Sequence, residues 1–151
     1  MTPDAIRRVQ AHHQQVASET GALAAYFYEE LFARVPGARG FFPADLTAQR
    51  AHFDASIALV IRNLANLDAL VPSLRELGAQ HLQWGAQPAH YPAARAALVA
   101  ALRRMPGADW SEQLERDWTE AITAIVVPML QGAAIETAAV AEAMAGPARE
   151  P

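Results

Sequence analysis

The chain has 151 residues, with 16 acidic side chains against 12 basic ones, all Arg, a formal net charge of −4 and no cysteine. That length suits one domain with a sizeable core; 52% hydrophobic against 19% charged residues excludes disorder, and the acidic balance leaves no footprint for nucleic acid. Without cysteine there is neither a disulfide nor a thiolate-held metal. No uninterrupted apolar run approaches the roughly 18 residues of a membrane span, and Met1 to Arg8 carry no signal-peptide core, so a cytoplasmic protein is expected.

The pattern is helical nearly throughout. Thr2-Pro3-Asp4 reads as a helix start, a capping hydroxyl followed by proline in the first turn, and the helix continues to about residue 17. Ser18 to Arg34 reads as a second helix ended by Val35-Pro36-Gly37. Arg39 to Pro43 forms a turn, and Thr47 starts a third helix whose inner face is Gln49, Phe53, Ile57, Val60, Ile61 and Leu64. The apolar positions Leu67, Leu70, Val71, Leu74 and Leu77 advance by helical steps toward His81, with Pro72 as an early break. Gln87-Pro88 opens a helix bearing Tyr91, Leu98, Leu102 and Met105, and Pro106-Gly107 ends it. Trp110-Ser111-Glu112 opens the last helix, with Leu114, Trp118, Ile122, Ile125, Val126 and Met129 inward and a kink at Pro128. Residues 1–145 read as one all-α domain, and 146–151 as a frayed tail.

Four polar side chains have the spacing of buried faces. His81 follows Leu77 by four residues and Leu74 by seven, so it projects inward, where an unpaired imidazole is costly. Gln49 lies one turn before Phe53, Tyr28 shares a face with Ala24, Leu31 and Phe32, and Tyr91 opens the stripe through Leu98 and Leu102. Singly, each has a plain explanation: a satisfied core histidine, a tyrosine on a carbonyl, a glutamine cap. Together, on separate helices, they can line one polar cavity. Zinc needs three or four ligands, and none of His12, His13, His52 or His90 pairs with His81 at i+3 or i+4. A lone inward histidine suits a cofactor that brings most of its own ligands, as haem does.

In order, the segments Phe27-Tyr28, Pro36 with Phe42, Gln49-Arg50, Asn63 to Leu67, Gln80-His81, Gln87 to Tyr91 and Trp118 make the chain resemble the bacterial single-domain globins, and among them the globin domain of flavohaemoglobins. The resemblance runs from about Ala5 to Met129 and implies a globin fold around haem b. It implies that His81 is the axial iron ligand, that Phe42 stacks on the haem, that Tyr28 and Gln49 form the distal pocket, and that Tyr91 lies on the proximal side, where it orients the imidazole. Tyr28 and Gln49 both offer hydrogen-bond donors to a ligand atom carrying partial negative charge. Three positions depart from the family. Gln80 stands where flavohaemoglobins have a lysine near the propionates. Phe53 replaces a smaller aliphatic residue and crowds the ligand site. Ile135 occupies the place of a glutamate that acts with Tyr91, while Glu136 is one residue off. His52, beside Phe53, faces solvent or a propionate, or serves as a sixth ligand.

The implied function is reversible binding of O2, NO and CO, with oxidation of NO to nitrate when a reductase returns the iron to the ferrous state. No glycine-rich dinucleotide fingerprint is present, so that reductase is expected to be a separate protein. The alternatives are O2 storage, transport or sensing without catalysis, and a haem-free globin fold serving as an interaction module.

Overall fold

A computed structural model describes residues 1–17, 21–107 and 109–145. Among these are six α-helices, two 3-10 segments and no strand. Helix α1 (Pro3–Val16) begins as its sequence demands: the Thr2 hydroxyl accepts from the Ala5 N–H at 3.2 Å, and Pro3 opens the first turn. Helix α2 (Ala22–Arg34) begins later than expected. Ser18 lies outside the described residues, and Gly21, at φ +82°, is in the left-handed region and cannot continue a helix. Gly21, the N-cap residue, has no side chain with which to cap α2. Asp54, on α3 (Thr47–Arg62), supplies the cap by accepting from the Ala24 N–H at 3.1 Å. Between α2 and α3 a 3-10 segment spans Pro36–Phe41. The Arg39 guanidinium holds the turn that follows it by donating to the carbonyls of Phe42, Pro43 and Ala44 at 3.2, 3.0 and 3.1 Å.

The approach to His81 differs from the sequence expectation. Leu67 and Leu70 belong to a 3-10 segment, Leu64–Leu70, in which Asn66 leaves helical geometry (φ −133°, ψ 46°). Helix α4 (Val71–Gln83) starts after it. Pro72 therefore sits in a first turn, where its missing N–H leaves no bond unmade, and does not break a helix. Helix α5 (His90–Arg104) begins at His90 and not at Gln87; the His90 Nδ1 accepts from the Gln87 N–H at 3.1 Å. Helix α6 (Glu112–Ala145) is capped by Ser111, whose hydroxyl accepts from the Leu114 N–H at 3.1 Å. Pro128 lies inside α6, which runs through it without interruption. The predicted tail, 146–151, lies outside the described residues.

The larger core joins α1, α2, α5 and α6 around Val9, Leu31, Leu98, Leu102 and Trp118. Helix α1 is tied to α6 by polar contacts as well. Asp117 accepts from Arg8 at 2.5 and 3.1 Å and from Gln113 at 2.9 Å, and the buried His12 Nδ1 accepts from the Trp118 indole at 3.1 Å. A smaller core of Leu74, Tyr91 and Met129 joins α4, α5 and α6. Here α4 and α6 meet backbone to backbone. A Cβ on Gly78 would lie 1.9 Å from the Met129 carbonyl oxygen, and one on Gly132 would lie 1.9 Å from that of Arg75.

Over an 18-residue window α6 reaches a mean hydropathy of 1.6 and is long and apolar enough to cross a membrane by those measures. Thr123, Gln131 and Glu136 interrupt it, so it holds no continuous apolar run of that length. Its inner face, Leu114, Trp118, Ile122 and Met129, is buried in the two cores.

Helix α3 packs chiefly on α2 and α1, α4 chiefly on α6, and the two scarcely touch each other. Phe53, Ile57 and Val60 on α3 and Leu77 on α4 consequently remain half-buried although they face the interior. Val60 and Leu77 both pack against the small core.

Candidate functional site

His81 stands one turn beyond Leu77 and Gly78, so the close α4–α6 contact fixes its base. Its Nδ1 is 2.8 Å from the Leu77 carbonyl oxygen. A carbonyl can only accept, so Nδ1 carries the hydrogen and Nε2 keeps its lone pair. Burial holds the imidazole pKa below its usual value, partly opposed by the Leu77 carbonyl. The ring is thus neutral near pH 7 and presents one free nitrogen, the form that ligates a transition metal. The Trp84 ring lies beside it, 5.2 Å between centroids.

The second group is formed by α2 and α3. The Gln49 Nε2 donates to the Tyr28 hydroxyl oxygen at 2.9 Å. Tyr28 is 3% exposed, and burial raises its pKa, so the phenol stays protonated. Because its oxygen has accepted from Gln49, its own O–H remains available to another acceptor. The ring is boxed by Phe42 (5.3 Å, 69°) and Phe53 (5.7 Å, 62°), both edge-on. Phe53 in turn stacks on Phe27 at 4.3 Å, which accommodates its bulk while leaving its edge against Tyr28.

The remaining expected site residues fall in different places. Tyr91 is buried in the small core with its hydroxyl unpartnered, and burial raises its pKa. Glu136 accepts from the Gln83 amide at 3.3 Å, two residues beyond His81, and Ile135 is 61% exposed. Among the described residues, no carboxylate therefore reaches the Tyr91 hydroxyl. His52 is exposed on α3, and Gln80 is half-buried. Among the described residues no three His, Asp or Glu side chains converge as a metal site. A groove of about 890 Å³ lies elsewhere, between Leu67, Val71 and the outer face of α6, and includes none of these residues.

Residues 25–129 match the globin family model. The chain belongs to the globin family. This globin is 28% identical over 104 residues to leghemoglobin 2 of Sesbania rostrata, covering 61% of this chain and 70% of that protein. It is 29% identical over 75 residues to leghemoglobin-1 of Lupinus luteus, covering 50% of this chain and 47% of that one. It is also 26% identical over 127 residues to the flavohemoprotein of Vibrio cholerae, covering 80% of this chain but only 32% of that protein.

Among solved structures, the globin is similar to an engineered carbene transferase built on a Rhodothermus marinus protein assigned as a nitric oxide dioxygenase (TM-score 0.83, 25% identity, 94% of this chain and 99% of that one). A bacterial globin from Campylobacter jejuni shares the fold (TM-score 0.74, 19% identity, 93% and 100% covered). The all-α globin fold expected from the sequence is thus established. Two local features of the site were not anticipated: the Leu77 carbonyl as the partner of His81, and Trp84 against the His81 ring. The spacing carries no signal for the first, since every helical residue has a carbonyl four positions back; the second had a signal in the i+3 spacing of Trp84 from His81.

Proposed function

We propose that this globin holds haem b through His81 and binds O2, NO or CO on the side where Tyr28 and Gln49 meet. The observation that carries the proposal is the His81 Nδ1–Leu77 contact of 2.8 Å, which leaves Nε2 as a neutral, oriented ligand. The half-buried apolar faces of α3 and α4 suit a flat apolar cofactor between them, with Phe42 beside it. Haem iron supplies a redox-active site for diatomic ligands.

The chain's own residues supply the rest. Tyr28, held by Gln49 and kept protonated by burial, offers a preorganised O–H to a ligand atom that gains negative charge. The rings of Phe42, Phe53 and Phe27 surround Tyr28 and keep water from competing for that hydrogen. On the other side Leu77 orients the imidazole, while Tyr91 adds bulk without a hydrogen bond. His52, on the solvent side of α3, lies at the rim, and Gln80 brings no cation to it. With a separate reductase, the distal donors favour oxidation of NO to nitrate over simple O2 carriage.

Absorption spectra of the haem-loaded protein in ferric, ferrous and CO-bound forms test the reading. A sharp Soret band with a CO spectrum typical of histidine ligation is expected, and His81→Ala is expected to lose tight haem binding. An unchanged spectrum in His81→Ala would remove the assignment. Mixing the ferrous O2-loaded form with NO in stopped flow separates the two functions: rapid nitrate formation is expected, and its absence leaves O2 storage or sensing.

A further inference from the structure

We propose, building on the haem reading above, that Trp84 is the residue at which this chain takes up the oxidising equivalents of a hydroperoxide. Trp84 caps the C-terminal end of α4, its ring 5.2 Å from His81, and is 60% exposed. The next residue, Gly85, has φ +99°, which L side chains rarely adopt, and its backbone lies under the Phe41 ring: an added Cβ would be 3.1 Å from Phe41 Cε1. Phe41 is 47% exposed and lies 6.0 Å from the His90 ring. The indole is thus seated between His81 and water, on a turn whose backbone is set by glycine.

Removing an electron from a phenol or indole makes its O–H or N–H strongly acidic, so oxidation proceeds where a proton acceptor is at hand. Tyr28 accepts a hydrogen bond from Gln49 and donates none, and the Tyr91 hydroxyl is buried without a partner. Neither has a protein acceptor for its proton. Trp110 and Trp118 do have acceptors, Glu115 and His12, but their ring contacts are with α1 and with each other's neighbours, not with His81. Trp84 alone of the three tryptophans combines contact with His81 and access to water as a proton acceptor. Haem iron held by His81 would supply the centre at which a peroxide O–O bond could be split. Over the whole reaction one oxygen of hydrogen peroxide enters an indole C–H bond to give C–OH, and the other leaves as water. The ring gives up two electrons, the peroxide accepts them, and no further reductant is consumed.

Peptide mapping after stoichiometric hydrogen peroxide tests this. With no lysine in the chain, trypsin cuts after arginine and places Trp84, Trp110 and Trp118 on separate peptides, Glu76–Arg95, Met105–Arg116 and Asp117–Arg149. In the haem-loaded protein most of the added oxygen on tryptophan is expected on Trp84. In protein loaded with redox-inert zinc protoporphyrin that enrichment is expected to vanish, while the exposed Met144 is oxidised directly in both. Trp84→Phe, a surface change, is expected to keep the Soret band and to bleach at fewer equivalents of peroxide. Oxygen spread evenly over the three tryptophan peptides, placed on Tyr91, or enriched equally with zinc protoporphyrin would overturn the proposal. So would bleaching of Trp84→Phe at the same peroxide count as the parent. A Soret band together with any of these results overturns this inference alone; no Soret band in the parent protein overturns the haem reading and this inference with it.

Discussion

Gly78→Ala is the sharpest test of how the fold positions His81. In an exposed helix interior the change should stabilise by about 1 kcal/mol, because alanine is the better helix former. Here the new methyl would begin 1.9 Å from the Met129 carbonyl oxygen, a contact that real Cβ atoms essentially never make below 3.0 Å. The atom it meets is backbone and cannot rotate away, so α4 and α6 must part by roughly 1.1 Å, the difference between those two distances. A radial gap of about 0.5–1 Å forfeits a quarter to a half of each dispersion contact. Overpacking of well-filled cores typically costs about 1–3 kcal/mol, and a rigid backbone neighbour places this site near the upper end. Set against the helix-propensity gain, a net loss of about 2 kcal/mol is expected. Urea unfolding followed by helical circular dichroism measures it, with Gly40→Ala as a control, since nothing lies within 4 Å of a Cβ there. Gly132→Ala meets the Arg75 carbonyl at the same 1.9 Å. Because one separation of the helices relieves both clashes, the double variant should lose less than the two single losses combined. A Gly78→Ala protein as stable as the parent, or more so, would refute the close-approach reasoning.

Three further outcomes are expected. Tyr28→Phe removes one hydrogen bond to a charge-bearing ligand, about 1.5–3 kcal/mol, so O2 should dissociate from the haem-loaded protein roughly 10–100-fold faster by stopped flow; an unchanged rate removes Tyr28 from the ligand site. Asp54→Ala strips the cap that α3 lends to α2 and should cost about 1 kcal/mol in urea unfolding, whereas Asp54→Asn, which can still accept, should cost less. His12 must stay neutral to accept from Trp118, and burial, then the neighbouring His13, holds its pKa below the ordinary 6.5. Its folded pKa being the lower one, the unfolded chain binds the extra proton first. This contribution to stability is therefore complete above pH 6.5 and is lost as the pH falls toward the folded value. His12→Gln, which accepts without titrating, should flatten the decline in urea midpoint below pH 6.5; an equally steep decline would assign it to other groups.

How much of this was legible without coordinates varies by element. Thr2, Ser111 and the inward spacing of Leu74, Leu77 and His81 act through neighbours within one or two turns, and the structure places them as that spacing predicts. The start of α4 differs from the sequence expectation because the Leu67-to-Leu77 steps continue smoothly across the 3-10 segment. An i+3 recurrence is shared by both kinds of helix and cannot separate them. The start of α2 differs because the sequence alone leaves Gly21 readable as a helical residue, whereas its φ of +82° puts it outside the helix. Glu136 meets Gln83, not Tyr91, because one residue on a helix rotates a side chain by about a quarter of a turn.

By itself, the sequence determined an all-helical chain, most of its helix starts and a histidine aimed at the interior, because periodicity and capping are local properties of the backbone. Only the tertiary structure decided that Tyr28 meets Gln49 from another helix, that Asp54 caps a helix not its own, and that Gly78 and Gly132 bring α4 and α6 into backbone contact beneath His81. Those pairings join residues 21, 30, 51 and 57 positions apart. Which of the many possible partners meet over such distances depends on how whole helices pack, and no local spacing encodes that.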